Sequence, residues 1–287
     1  MSDIQIVAAI TLYNPKEKVY EYILELRKIF PHIYLFDNTE NEDILKKSKK
    51  NLKQEGITYF SKGVNMGLAY GLNVCCNRAC KDHYPWIMLF DQDSVITYDL
   101  ICKMKDFIQK YDNEKLAIVT PMIEDFKRRC VRDDKAKPKK TVITSGMILK
   151  LEAFVENGKF LNALFVDAVD IEYSLRIARK GYYILENRQA ILHHNQYDKE
   201  NVYDGYKVNK YSALRHYYIA RGYCYIVHEY AYERAYIEQF KLENYRRFRG
   251  MITYDQHRMK KLFAIILGFI DYKRGKFGKC EWKIIAK

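Results

Sequence analysis

The chain has 287 residues, 48% of them apolar and 15% aromatic, enough to bury a large core and too much for wholesale disorder. No apolar run approaches the ~20 residues that a membrane-spanning helix requires; the nearest, residues 262–270, is nine long. The net charge is +13, and from Lys241 onward thirteen Lys or Arg stand against Glu243, Asp255, Asp271 and Glu281, an excess of nine that suits a polyanion or an anionic membrane surface.

Residues 1–15 have neither a basic segment nor a cleavage site, so no signal peptide is expected. The seven cysteines are odd in number and fit no disulfide framework, which points to a reducing cytosol and to cysteines used as small buried hydrophobes. Strands are expected over 4–12, 33–36, 57–60, 86–90 and 116–120, and helices over 16–30, 42–54, 68–79 and 97–110. This alternation implies βαβ units and a mainly parallel sheet flanked by helices.

Beyond Pro121 the texture changes. Residues 127–140 read as a charged loop, and 142–150 as a strand with Ser145 and Gly146 inside it. A carboxylate cluster within 167–180 leads into a helix. Strands are expected over 182–185 and 190–194, and the chain reads as largely helical from Tyr206. The domain reading is a catalytic domain over 1–205, its nucleotide-binding part about 1–120 and its acceptor part about 121–205, followed by a basic helical region over 206–287.

In parallel sheets ligands bind beyond the carboxyl ends of the strands. Polar groups fall there four times: at 11–14, at Asp37 and Asn38, at 65–67 and at 91–93. The first strand ends in Thr-Leu-Tyr-Asn-Pro, without the glycine-rich turn of a dinucleotide site, and no P-loop occurs. A nucleotide on this sheet therefore needs side chains and a metal.

Asp91 and Asp93 offer hard oxygen ligands to Mg²⁺ or Mn²⁺. In an extended segment they would share a side; alternatively Asp93 or Ser94 caps the following helix. Asp167, Asp170 and Glu172, with Arg176 four residues after Glu172, are either an ordinary helix start or a source of a general base. His193 and His194 close a strand, where one is a candidate third metal ligand and the alternative is a buried histidine.

In this order the stretches ITLYNP, LFDNT, NMGLAYGLN, LFDQDS, TSGMILK, FVDAVDIEYSLRIARKGY and ILHH resemble the family 2 glycosyltransferases of GT-A fold, rhamnosyltransferase-like branch. YYIARGYCYI and GFIDYKRGKFGK extend the resemblance over nearly the whole chain. It implies inverting transfer of a sugar from a nucleoside diphosphate donor, dTDP-rhamnose or a UDP-sugar, to a glycan or lipid-linked acceptor in bacterial surface polysaccharide synthesis. Thr11, Tyr13, Asp37, Asn65, Gly67 and Asp91 would then bind the nucleotide, with Asp37 accepting from the base. Asp91, Asp93 and His194 would serve the metal, the histidine register being open by one, and Asp170 would be the base, with Asp167 and Glu172 kept open for that role because Val169-Asp170 stands where the family has an acidic pair. Asp167, Glu172, Arg176, His193 and Arg221 are candidates for contacts to the acceptor or donor sugar. The Arg221-Gly222 pair departs from the family, which usually carries Asn after the arginine.

A sugar nucleotidyltransferase is the competing enzyme class, although it needs a basic glycine-rich loop, and a nucleic-acid-binding protein is the competing non-enzyme. Nucleic acid is not an expected partner. The basic flanks of residues 262–270 lead us to expect a cytoplasmic protein that is peripheral on the inner face of the cell membrane.

Overall fold

The computed structural model describes residues 4–124, 136–194, 200–203, 206–209 and 211–286, and divides the chain into two units. The first comprises Met1–Phe160 and Tyr173–Asn195, the second Leu161–Glu172 and Gln196–Lys287. The expected boundary at 205 is therefore not where the chain divides. The carboxylate segment before Tyr173 goes with the helical unit.

In the first unit the alternation is β1 (Ile6–Leu12), α1 (Glu17–Leu26), β2 (Ile33–Asp37), α2 (Glu42–Asn51), β3 (Ile57–Ser61), α3 (Leu68–Lys81) and β4 (Trp86–Asp91). β5 (Ser94–Val95), α4 (Tyr98–Tyr111), β6 (Leu116–Glu124), β7 (Lys137–Lys139), β8 (Met147–Lys150), α5 (Leu151–Asn157), α6 (Val169–Arg179, which runs across the division) and β9 (Tyr183–His194) follow. β1 and β2 are buried on both faces, as strands covered by helices on either side must be. α1 turns Tyr20, Ile23 and Leu26 inward, and α2 is started by Asn41, whose side chain accepts from the N–H groups of Asp43 and Ile44.

The strands form one sheet in the order β3-β2-β1-β4-β8-β6-β9-β5, with β7 on β9. The run β3-β2-β1-β4 is parallel throughout, but β8 enters antiparallel beside both β4 and β6, so the sheet as a whole is mixed. β9 is one strand rather than the expected two. Its pairing with β6 passes from Asn187–Pro121 to Ile191–Met122, a bulge that absorbs residues 188–190 without ending the strand. The expected strand over 142–150 is confined to β8, because Ser145 and the positive-φ Gly146 (φ 87°) form the turn before it. Of the charged loop expected over 127–140, residues 127–135 lie outside the described residues, while Lys137–Lys139 is paired as β7.

The second unit contains an antiparallel hairpin, β10 (Glu200–Tyr203) and β11 (Tyr206–Asn209), where helix was expected from Tyr206. Then come α7 (Ala213–Glu229), α8 (Arg234–Tyr254), α9 (Arg258–Lys273) and the short α10 (Lys283–Ala286). Ser212 caps α7 by accepting from the Arg215 N–H at 3.2 Å. Phe165, Tyr217, Tyr218, Ala264, Leu267 and Ile285 form its core.

Candidate functional site

Three parallel strands end at one level. Thr11 of β1 is in register with Asp91 of β4, and Leu12 with Asp37 of β2. Tyr13 leaves the sheet 50% exposed. Its backbone is clamped by one side chain: its N–H donates to Gln92 Oε1 (3.0 Å), and Gln92 Nε2 donates to its carbonyl (3.2 Å). The next N–H, of Asn14, donates to Thr39 Oγ1 (2.8 Å), so the loop after β1 is tied to the loops after β2 and β4.

Asp37 is 0% exposed. One carboxylate oxygen accepts from the Thr39 N–H (2.9 Å) and the other from the Tyr59 hydroxyl (2.8 Å). Burial first, then the hydrogen bond to Asp37 and its charge, push the Tyr59 hydroxyl well above the ordinary tyrosine value. Asp37 thus joins the ends of β2 and β3, whatever else it touches. Asn38 beside it donates to the Gly67 carbonyl (3.3 Å) and accepts from the Met66 N–H (2.9 Å). Asn65 accepts from the Gly67 N–H (2.9 Å), and Gly67 itself (φ 88°) starts α3 in a conformation that a side chain would strain.

Asp91 ends β4 half-buried, accepting from the Ser145 hydroxyl at 2.5 Å. Gln92 and the exposed Asp93 form a turn, so the two aspartates do not lie on one extended segment as expected. Neither Asp93 nor Ser94 caps α4; Thr97 does, accepting from the Leu100 N–H (3.2 Å). β5 then pairs with the end of β9, Ser94 opposite His194 and Val95 opposite His193, which brings the histidine backbone next to the residue after Asp93. The side chains of His193 and His194 lie outside the described residues.

Among the described residues no three His, Cys, Asp or Glu side chains form a ready-made metal cluster. The donor set nevertheless fits Mg²⁺ or Mn²⁺. Such ions are held by one or two carboxylates, with water and substrate phosphate oxygens in the other positions. Asp91 and the exposed Asp93 supply that number at a strand end.

In the second unit, two non-glycine residues with positive φ, Phe165 (69°) and Ala168 (63°), bracket Asp167. Asp167 lies 2.8 Å from Arg215 Nε. Burial pushes its carboxyl above the usual range, and Arg215 and then Arg247 pull against that. Gly222 of α7 backs this turn: a Cβ there would stand 2.9 Å from Ala168 Cβ and 3.3 Å from the Asp167 carbonyl. The glycine that departs from the family pattern is the residue that lets α7 approach.

Asp170, in the first turn of α6, is half-buried and accepts from the Ile171 N–H (2.8 Å). Three other candidates are structural. Glu172 is 3% exposed and accepts from the Tyr230 hydroxyl (3.1 Å), because it faces inward on α6. Arg176 donates to the carbonyls of Asn157 (2.6 Å) and Lys159 (2.7 Å), closing the C-terminus of α5. Arg221 is 1% exposed, donates to Tyr217 Oη (3.0 Å) and the Gly278 carbonyl (2.6 Å), and lies against the rings of Tyr217, Tyr218 and Phe277. The Tyr217 hydroxyl and Trp282 Nε1 both donate to Asp271, at 2.8 and 2.7 Å. A buried arginine so engaged is not a contact for an acceptor sugar.

Sequence reasoning assigned no role to Gln92, Ser145, Asn38 or Arg215. Gln92, Asn38 and Ser145 did stand inside singled-out motifs. Ser145 lay 54 residues from Asp91, and nothing in its own stretch announces that pairing.

Polar groups at the ends of parallel strands are where such a sheet binds its ligands, and residues 8–163 match the model of Glycosyl transferase family 2. The chain belongs to that family. The dTDP-rhamnosyl transferase RfbF of Shigella flexneri is 27% identical over 236 residues, covering 76% of this chain and 78% of the relative. Among solved structures, S. aureus TarS 1–349 matches with a TM-score of 0.54 at 13% identity, over 93% of this chain and 80% of that one. The same protein in complex with UDP-GlcNAc matches with the same TM-score and identity, over 92% and 81%. Family membership removes the nucleotidyltransferase alternative.

Proposed function

We propose that this transferase moves rhamnose from dTDP-rhamnose to a hydroxyl of a glycan or lipid-linked acceptor, with inversion at the sugar's anomeric carbon. The reading rests on one observation above all: the polar groups of β1, β2 and β4 end in register, with two carboxylates at the third end. The choice of rhamnose draws on the dTDP-rhamnosyl transferase relative.

In this proposal the nucleoside lies against Tyr13, the remaining lone pairs of Asp37 accept from the base, and Asn65 and Gly67 border the diphosphate. Asp91, oriented by Ser145, and Asp93 hold a divalent cation, with His194 as the further candidate ligand. The cation supplies charge neutralisation to the diphosphate as it leaves. Asp170 takes the proton from the acceptor hydroxyl as its oxygen attacks the anomeric carbon on the face opposite the departing diphosphate. Asp167, fixed by Arg215, orients the acceptor. No covalent sugar–enzyme step is required.

The basic, partly apolar helical unit is proposed to rest on the inner face of an anionic membrane. No helix among the described residues is long and apolar enough to cross one.

The test is a donor panel: thermal shift, then product formation, with dTDP-rhamnose, UDP-GlcNAc and UDP-galactose, each with Mg²⁺, Mn²⁺ or EDTA. Stabilisation and turnover by dTDP-rhamnose with metal are expected. Turnover with a UDP-sugar alone would reassign the donor, and full activity in EDTA would remove the metal.

A further inference from the structure

The helical unit has a half-open cavity of about 330 Å³ that the transfer chemistry does not use. Its walls come from all three long helices: Ile219 and Ala220 of α7, Met251 of α8, and Ile265 of α9. The volume falls in the range of small-molecule sites, and such sites are mostly apolar with a few placed polar groups. Here the placed groups include His216 of α7, Asn244 of α8 and two cations of α8, Lys241 and Arg247.

The surroundings of the cavity have the same character. Phe248 and Phe269, which also line it, are 40% and 39% exposed. Along α9 the apolar surface continues through Met259 (72% exposed), Phe263 (44%) and Ile266 (45%), spaced as one face of a helix. Arg246, Arg249, Arg258 and Lys260 are exposed on the same two helices. Half of α9 is nevertheless core, since Ala264, Leu267 and Gly268 are buried. The helix is held in place by one side and offers the other.

We propose that this cavity binds one hydrocarbon chain of an anionic phospholipid, with Lys241 and Arg247 meeting its phosphate. Charge complementarity selects the occupant. An uncharged chain would make no use of the two cations at the cavity, of which Arg247 otherwise acts, among the described residues, only on the charge of Asp167, and a polyanion without a chain would leave the apolar lining unfilled. Lys241 already meets Glu238 at 3.0 Å, but that pair is exposed and worth little, so the ammonium can be drawn to a phosphate. The inference rests on the membrane-surface reading above and adds to it a single saturable lipid site.

The experiment uses the full chain and two probes: monomeric lysophosphatidylglycerol, followed by calorimetry, and vesicles of phosphatidylcholine with or without phosphatidylglycerol, followed by sedimentation. One equivalent of the lysolipid is expected to bind, and uncharged monoacylglycerol to bind far more weakly. Ile265→Trp, which fills the cavity from its wall, should abolish that binding while leaving dTDP titration unchanged. Lys241→Glu with Arg247→Glu should weaken it by about tenfold to a hundredfold. These two positions are on the surface, so the double variant keeps the test open should Ile265→Trp fail to fold. Lysolipid binding that survives either variant in folded form, or equal binding of the uncharged chain, would overturn the proposal. Sedimentation with anionic vesicles but no lysolipid binding would overturn the site alone and leave the membrane-surface reading standing. Absence of both would sink the two together.

Discussion

The two acidic clusters of this chain look alike in sequence and differ in the fold. Asp91 and Asp93 close a buried parallel strand and emerge toward solvent, one oriented by a serine and the other exposed. The cluster from Asp167 to Glu172 is drawn inward. Asp167 is matched with Arg215, Glu172 is buried under Tyr230, and Asp170 stays half-buried, its carboxylate accepting from the Ile171 N–H at the helix start. A carboxylate's role follows from its partners and exposure, not from its place in an acidic run.

The largest effect should come from Asp93→Ala, which is expected to reduce transfer below detection and erase the EDTA sensitivity of dTDP binding, while circular dichroism stays unchanged. Near-normal turnover would remove Asp93 from the metal. Next, Asp170→Asn keeps the shape but cannot accept the proton, so kcat should fall by about 10²–10⁴-fold with donor affinity little changed.

Glu172→Gln sharpens the contrast within the second cluster. It should lower stability by about 1–2 kcal/mol through its hydrogen bond to Tyr230 and leave kcat largely intact at permissive temperature. If instead Glu172→Gln loses turnover and Asp170→Asn does not, the roles are reversed. Asp37→Ala should weaken dTDP binding by about 1.5–3 kcal/mol, and should also destabilise the fold because the Thr39 N–H and Tyr59 hydroxyl lose their acceptor. Unchanged dTDP affinity in calorimetry would leave Asp37 with its structural task alone.

The smallest expected effect is one of pH. Burial holds the His216 imidazole below its ordinary value, with Lys261 adding to this and Ser212 and Asp255 opposing it. The unfolded chain therefore binds the proton more readily than the folded one. The stability from neutral His216 is full above the ordinary histidine value and is lost as pH falls through the depressed folded one. Melting temperature should decline on that acid limb, and His216→Phe should flatten it.

Much of the first unit was legible because strands buried on both faces read as unbroken apolar runs, and their polar ends mark where ligands bind. Thr11, Asp37 and Asp91 were placed at strand ends that way, and there the structure has them. What was not legible depends on distance or direction. Glu172 faces inward and Asp170 does not, yet both are acids in the opening turn of α6. Arg221 is buried because carbonyls 55 and 57 residues later fold back onto it. β9 looked like two strands because its bulge interrupts the apolar pattern, and the β10–β11 hairpin has no strong alternation to reveal it.

The contact between Gly222 and Ala168 bears on how such a chain changes over generations. Position 222 cannot gain even a methyl group while position 168 keeps one, since the two carbons would stand 2.9 Å apart. Ala168 is itself held at φ 63°, a conformation in which glycine would be unstrained. The two positions are therefore linked in a fixed order of exchange. Glycine must arrive at 168 before a larger residue can be tolerated at 222, although the Asp167 carbonyl still bounds its size. The reverse order passes through an intermediate whose turn around Asp167 no longer closes on α7.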